Sequence, residues 1–300
     1  MTEKRRALVL GGGGPVGVGW QVGLAAGLAA GGIDLTKADF VIGTSAGSIT
    51  GAYLTGGTDP TELAATVSDL FTANTAGSGV DQVDLSAAAA GIDLLIGVVA
   101  DVEQGTQQAR MAKVGQFALE ARTISEDAYV GSILAALGDE PWPAGYACTA
   151  VEANTGDFVV WDEAAGVALA AAVASSCAVP GIYPPVTING SRYVDGGTRS
   201  PLNADQALGY DAVVVVSCMP MALPPGLADE RFQRFFDAQL VELDGVRASG
   251  AEVEVVVPDQ AFLEISGFGL SLMDFGRIDA AVEAGTALGK ETAERIGSIW

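Results

Sequence analysis

The 300-residue sequence contains no histidine. Its absence excludes every Ser-His-Asp or Cys-His catalytic arrangement and every zinc site that requires imidazole, so acid–base chemistry must use Asp, Glu, Lys, Tyr or water. Basic residues are also scarce, because 15 Lys and Arg stand against 37 Asp and Glu, a formal net charge of −22. Such a surface repels phosphate backbones and anionic lipid headgroups, and we expect no nucleic-acid partner.

Cysteine is rare as well, with Cys148, Cys177 and Cys218 far apart and no CxxC spacing. This spacing predicts neither a disulfide framework nor a thiolate metal site, and it favours a reducing compartment. No apolar segment of signal-peptide length follows the charged first residues, and the longest apolar run, residues 85–100, is interrupted by Asp93. We therefore expect a cytoplasmic protein without a membrane-spanning helix, a metal or a cofactor.

What the chain has is 49% hydrophobic residues and 40 glycines, enough to build one large α/β domain over residues 1–300. Strand and helix patterns alternate, which predicts a mainly parallel sheet with helices on both faces. Between residues 62 and 137 the pattern is helical, and we expect a lid-like elaboration at about 72–127. Its segment 85–100 suits an acyl-chain groove, a lid or buried packing. Strands are predicted at 6–10, 40–42, 146–153, 158–161, 212–217 and 252–257 and on both sides of Asn189-Gly190, and further helices at 16–30, 45–54, 163–174, 227–249 and 277–296.

A first glycine cluster follows the first predicted strand, where segment 11–17 reads Gly-Gly-Gly-Gly-Pro-Val-Gly. Gly12, Gly14 and Gly17 satisfy GxGxxG, and consecutive glycines allow several backbone N–H groups to converge on one oxygen. A helix that begins near Pro15 adds its positive N-terminal end at the same place. The cluster suits a dinucleotide pyrophosphate, the oxyanion of an acyl-transfer intermediate, or a tight turn without a ligand.

A second cluster, segment 43–48, reads Gly-Thr-Ser-Ala-Gly-Ser and lies between a predicted strand and a predicted helix. It contains GxSxG, in which Gly43 and Gly47 permit a sharp turn that exposes Ser45, and the N–H of Ala46 can serve an oxyanion. An ordinary helix cap would also explain Ser45. A dinucleotide site would place Asp or Glu at the end of this strand, so we favour a nucleophile beside an oxyanion site.

A serine nucleophile needs a base, which in this sequence must be a carboxylate or a lysine. The four lysines lie outside the glycine-rich turns. Asp195 stands out because Gly196 and Gly197 follow it directly and allow close approach of another loop. An ordinary turn has the same Asp-Gly-Gly composition, so the motif by itself leaves both interpretations open.

Together, the glycine box, the GxSxG serine and the Asp-Gly-Gly segment resemble, in this order, the patatin-like phospholipase family of lipid acyl hydrolases. The resemblance extends to segments 174–185 and 199–203 and covers about residues 8–217, but it is weak at 72–127. It implies a three-layer α/β sandwich with a Ser-Asp dyad. The chain departs from the family pattern at Pro15-Val16, where many relatives carry Arg or Lys.

The resemblance implies that Ser45 is the nucleophile and Asp195 the general base. It further implies an oxyanion hole formed by N–H groups around Gly12, Gly13 and Gly14, with Ala46 as an additional donor. Expected substrates are lipid or fatty-acyl esters, of the phospholipase A or lysophospholipase type, at neutral or zwitterionic surfaces. A dinucleotide-dependent oxidoreductase and a catalytically silent lipid-binding protein remain the alternatives.

Overall fold

One mixed sheet organises the protein, and a computed structural model describes residues 4–75, 79, 85–222 and 230–300. The strands are β1 (Arg6–Leu10), β2 (Phe40–Gly43), β3 (Tyr146–Glu152), β4 (Phe158–Trp161), β5 (Val186–Ile188), β6 (Ser191–Asp195), β7 (Ala212–Val216) and β8 (Glu252–Val256). Within the described ranges, these eight strands pair in the order β5-β6-β3-β2-β1-β7-β8, with β4 paired to β3. The pairs among β3, β2, β1, β7 and β8 are parallel, whereas β3–β4, β3–β6 and β5–β6 are antiparallel.

Apolar side chains are buried on both faces of this sheet. In β1, Leu8 and Leu10 belong to the core on one face, while Ala7 and Val9 belong to the core on the other. Successive residues of a strand point to opposite faces, so a strand buried on both sides requires an unbroken apolar run. The all-apolar β7 meets this requirement, since its five residues are fully buried. The expected mainly parallel α/β sandwich is confirmed.

Helices cover both faces of the sheet. They are α1 (Gly14–Ala30), α2 (Ala46–Thr55), α3 (Pro60–Thr75), α4 (Leu85–Ala100), α5 (Gln107–Glu120), α6 (Glu126–Leu137), α7 (Leu169–Ser176), α8 (Glu230–Ala248), α9 (Gln260–Ile265) and α10 (Ile278–Gly297). α1 and α10 pack closely because glycines of α1 face α10: a Cβ on Gly23 would lie 2.2 Å from the carbonyl oxygen of Val282. On the opposite face, Leu243 and Val246 of α8 pack against the sheet.

The predicted helix at 163–174 is confirmed only in its second half, where α7 runs from Leu169 to Ser176. A short 3-10 turn occupies Glu163–Ala165, and Gly166 follows in the left-handed region with φ 66°, so α7 begins only at Leu169. The Asp162 carboxylate accepts the N–H of Ala164 and favours this early turn over a continuous helix. Helix α9 was not predicted. Residues 227–229 of the predicted helix 227–249, and residues 76–78 and 80–84 of the expected elaboration, lie outside the described residues.

Candidate active site

Ser45 occupies a sharp turn between β2 and α2. Its backbone has φ 53° and ψ −120°, a conformation that a non-glycine residue adopts only when its surroundings impose it. Gly47 permits the turn, because a Cβ there would lie 2.0 Å from the carbonyl oxygen of Leu10. Gly43 has the same role, since its Cβ would meet the carbonyl oxygen of Gly47 at 2.4 Å. The turn therefore requires small residues on both sides of Ser45.

The glycine box lies next to this turn. The N–H of Gly12 donates to the carbonyl oxygen of Pro201 at 2.9 Å, so it is not free to bind an oxyanion in this conformation. Across the described chain, no acceptor is found for the N–H groups of Gly13, Gly14 and Ala46. Gly13 precedes α1 and Ala46 begins α2, so two helix N-termini present unpaired donors near Ser45.

Asp195 ends β6 and is 3% exposed. Its Oδ1 accepts the N–H of Gly197 at 2.7 Å, whereas Oδ2 is buried without a hydrogen-bond partner in the described structure. Burial raises the pKa of Asp195 from its ordinary 3.8 to about 7, although the nearby Ser45 hydroxyl and the Gly197 N–H act in the opposite direction. A carboxylate with this pKa can accept a proton at neutral pH.

The register of β3 with its neighbouring strands brings Ser45 and Asp195 together. β2 and β3 are parallel and pair Gly43 with Cys148, whereas β6 runs antiparallel to β3 and pairs Asp195 with Ala150. Ser45 lies two residues beyond Gly43, and Ala150 lies two residues beyond Cys148. Because Asp195 pairs with Ala150, it lies at the level of the turn that carries Ser45.

An asparagine that sequence reasoning left without a role connects these loops. Asn203 is fully buried, and its Nδ2 donates to Thr44 Oγ1 at 3.0 Å and to the carbonyl oxygen of Gly196 at 3.3 Å. Its Oδ1 accepts from Arg199 at 2.8 Å. Asn203 thus joins the residue before Ser45 to the residue after Asp195. The only sequence signal was its place in segment 199–203, which resembles the family.

Two cavities meet at Ser45. The α6 cavity is an open groove of about 640 Å³ including the solvent space at its mouth, and it is lined by Ser45 and Ala46 together with apolar residues of α3 and α6 such as Phe71 and Ile133. The α8 cavity, of about 1420 Å³ including its open mouth, contains Ser45 and Asp195. Gly12, Gly13, Gly14 and Gly197 also line it, so these four glycines share one site with Ser45 and Asp195, whereas Ala46 lines only the α6 cavity.

The remaining predicted residues support the packing of these loops. A Cβ on Gly196 would lie 2.0 Å from Thr149 Oγ1, and one on Gly17 would lie 3.1 Å from Cys218 Sγ. All three cysteines are free and buried. Among the residues that the structure describes, no group of three potential ligands suits a metal ion, and no helix is long and apolar enough to cross a membrane.

Comparison with known proteins identifies the family. The family model described as patatin-like phospholipase matches residues 8–208, about two thirds of the chain. A solved structure, VipD from Legionella pneumophila, is similar at 12% identity with a TM-score of 0.40, over 74% of this chain and 51% of that chain. The present chain thus spans about half the length of VipD, and no curated protein matches it. On the family match, the chain belongs to the patatin-like phospholipase family.

Proposed function

We propose that this protein is a serine hydrolase that cleaves carboxylic esters of lipids with Ser45 as nucleophile and Asp195 as general base. The observation that carries the proposal is the buried, unpaired Oδ2 of Asp195 in the same cavity as Ser45. A buried polar atom without a partner costs free energy, and such a group is retained where chemistry uses it. Family membership independently supports lipid acyl hydrolysis.

The reaction follows from these two groups. Ser45 Oγ attacks the ester carbonyl carbon while its proton passes to Asp195 Oδ2, and the carbonyl electron pair moves to the oxygen. Collapse of the tetrahedral intermediate breaks the ester bond, and the departing alcohol takes the proton from Asp195. Water then attacks the acyl-enzyme with Asp195 again as base, which releases the fatty acid and restores Ser45.

Backbone donors stabilise the intermediate in this proposal. Gly13, Gly14 and Ala46 supply N–H groups, while Gly12 is omitted because its N–H is bonded to Pro201. Each oxyanion donor contributes about 2.7–4 kcal/mol in well-studied hydrolases. Since Pro15 and Val16 replace the basic residue of many relatives, no cationic side chain of the box assists. The mechanism requires no metal, and activity should be unchanged in a chelator.

An exposed apolar rim supports contact with a lipid surface. Phe268 is 60% exposed and Leu270 is 86% exposed, and both line the mouth of the α8 cavity. Exposed apolar side chains beside a binding cavity are typical of interaction surfaces. We propose that they contact neutral or zwitterionic lipid, because the net charge of −22 opposes binding to anionic surfaces.

The test uses p-nitrophenyl butyrate hydrolysis and a fluorophosphonate probe on the same preparations. The wild-type protein should hydrolyse the ester and carry the adduct on Ser45, and Ser45→Ala should lose both. Ser249→Ala is the matched control, because Ser249 follows α8 and lines neither cavity. A wild-type protein without turnover or label would instead be a silent lipid-binding protein, and a Ser45→Ala variant with full activity would exclude the nucleophile.

A further inference from the structure

The two cavities share Ser45 but are otherwise formed largely by different elements. The α6 cavity is bounded by α1, α2, α3 and α6, and the α8 cavity by α4, α8 and the loop that contains Phe268. Both cavities include Ser45, Gly14, Val179 and Met273. An ester bound at Ser45 can therefore direct its acyl group into one cavity and its alcohol into the other.

Both cavities are apolar. Phe71, Ile133 and Leu137 line the α6 cavity, where Tyr129 donates its hydroxyl to the carbonyl oxygen of Ala174 and Ser132 donates to that of Tyr129. These two hydroxyls are thus already bonded within the protein. Ile96, Phe235 and Phe236 line the α8 cavity, in which Asp195 is the only carboxylate among the described residues.

Within the described part of the chain, no positively charged side chain lines either cavity. Among the described lining residues there is no Lys or Arg, and the sequences of α1, α2, α3, α4 and α6 contain none. Segments 76–84 and 223–229, which border α3, α4 and α8, also lack Lys and Arg in the sequence. A phosphate moved into such a site would lose its hydration without gaining a charged partner.

The arginines of the bordering elements are already paired. Arg231 of α8 binds the carboxylates of Asp93 and Asp101, at 2.5 Å and 3.2 Å. Arg277, beyond the Phe268 loop, binds Asp274 at 2.8 Å. Recruiting either guanidinium to a phosphate would require breaking an existing ion pair.

We infer that the substrate is an uncharged ester with apolar groups on both sides of the scissile bond, such as a diacylglycerol, rather than a phosphate-bearing lipid. The inference rests on the proposed function and adds the substrate class to it. It differs from the phospholipase A or lysophospholipase type expected from the sequence. The aliphatic groups bury apolar surface in both cavities, and no charge has to be desolvated.

The first experiment compares chain-matched lipids in neutral-detergent mixed micelles at equal surface fraction, with fatty-acid release as the readout. Dioleoylglycerol should be hydrolysed at least about tenfold faster than dioleoylphosphatidylcholine or dioleoylphosphatidylglycerol, the factor that corresponds to about 1.4 kcal/mol. Equal or faster hydrolysis of either phospholipid overturns the inference. If p-nitrophenyl butyrate is cleaved through Ser45 in that case, the proposed function stands without it.

The second experiment fills each cavity separately. Ala136→Phe narrows the α6 cavity and Ile92→Trp narrows the α8 cavity, since both residues line these walls and neither is fully buried. Each variant should lower the ratio of kcat/KM for dioleoylglycerol to that for p-nitrophenyl butyrate by about fivefold or more. Ala135→Phe and Ala90→Trp, exposed positions on the same helices, should leave this ratio unchanged.

The one-chain ester p-nitrophenyl palmitate separates the two cavities. The ratio of kcat/KM for this ester to kcat/KM for p-nitrophenyl butyrate should fall in one of the two variants and stay constant in the other. The reason is that its single long chain occupies only one cavity. A dioleoylglycerol ratio that responds to only one variant, or to neither, contradicts binding on both sides. If the wild-type protein does not cleave p-nitrophenyl butyrate at all, the proposed function is excluded together with this inference.

Discussion

The turn region around Ser45 and the cavity walls differ in how strictly the structure constrains each residue. In the turn region, an added methyl group at Gly47 would lie 2.0 Å from a backbone oxygen, and Asn203 bonds two loops at once. The cavity walls consist of apolar side chains, some of them exposed, such as Leu270. Under the proposed function, chemistry depends on individual atoms, whereas substrate binding depends on apolar volume and the lack of charge.

The largest effect is expected from Asp195→Ala. Without its buried base, kcat for p-nitrophenyl butyrate should fall by roughly a thousandfold or more, while backbone donors preserve some rate over water. Circular dichroism should show a folded protein. A folded variant with the parental rate would mean that the turn region holds a different base.

Gly47→Ala tests how little freedom the turn region has. The clash with the Leu10 carbonyl oxygen should lower the free energy of unfolding by more than about 3 kcal/mol in a urea titration. Gly131→Ala is the matched control, because no atom lies within 4 Å of a Cβ at this position in α6. The control should gain up to about 1 kcal/mol from helix propensity. Similar changes in both variants would refute the strict constraint at Gly47.

The charge of Asp195 should reduce the stability of the protein as the pH rises. Its pKa is raised from 3.8 to about 7, so the folded state binds the proton more tightly than the unfolded state does. The free energy of unfolding should therefore fall as the pH rises from 3.8 to about 7, and this contribution should be constant at higher pH. Asp195→Asn removes this titration but keeps an acceptor for Gly197. The unfolding free energy of the variant minus that of the parent should therefore be about 2–3 kcal/mol larger at pH 8 than at pH 5.

This stability difference is measured by urea titration at both pH values. The introduced asparagine precedes Gly196, so mass spectrometry must exclude its deamidation before each titration. A difference between variant and parent that is the same at pH 5 and pH 8 would show that the pKa of Asp195 is not raised.

Leu270→Asp tests the cavity rim and should have the smallest effect. Because Leu270 is 86% exposed, stability should change little, but adsorption to lipid should weaken. Hydrolysis of emulsified dioleoylglycerol should fall by about tenfold at constant p-nitrophenyl butyrate activity, equivalent to about 1.4 kcal/mol. Leu208→Asp, 51% exposed and outside both cavities, is the matched control. Equal losses in both variants would contradict a specific role of the rim.

The same contrast explains how far the sequence could predict the molecule. Ser45 and its glycines were predictable because a sharp turn without room for side chains leaves a local pattern. The position of Asp195 beside Ser45 was not derivable from local pattern, since it depends on the pairing of Asp195 with Ala150 between two strands that are distant in sequence. The occupied N–H of Gly12 and the role of Asn203 also arise from contacts between distant segments.

The cavity walls left a weaker signal. Segment 85–100 suited a groove, a lid or buried packing, and in the structure Ile92, Leu95 and Ile96 of α4 line the α8 cavity. Apolar residues on a helix have the same periodicity in each of these uses, so the sequence could not decide among them. That the elaboration moves as a lid stays a prediction.

The pH dependence of fluorophosphonate labelling at Ser45 tests the central claim most directly, because it reports the nucleophile and its base together. The adduct should map to Ser45 by peptide mass spectrometry. Its second-order rate should rise with pH to a plateau and reach half of it near pH 7, where Asp195 loses its proton. In Asp195→Ala this rise should be absent and the rate low throughout. An adduct on another residue would contradict the Ser45–Asp195 dyad. So would a labelling rate of the wild-type protein that does not change between pH 5 and pH 9.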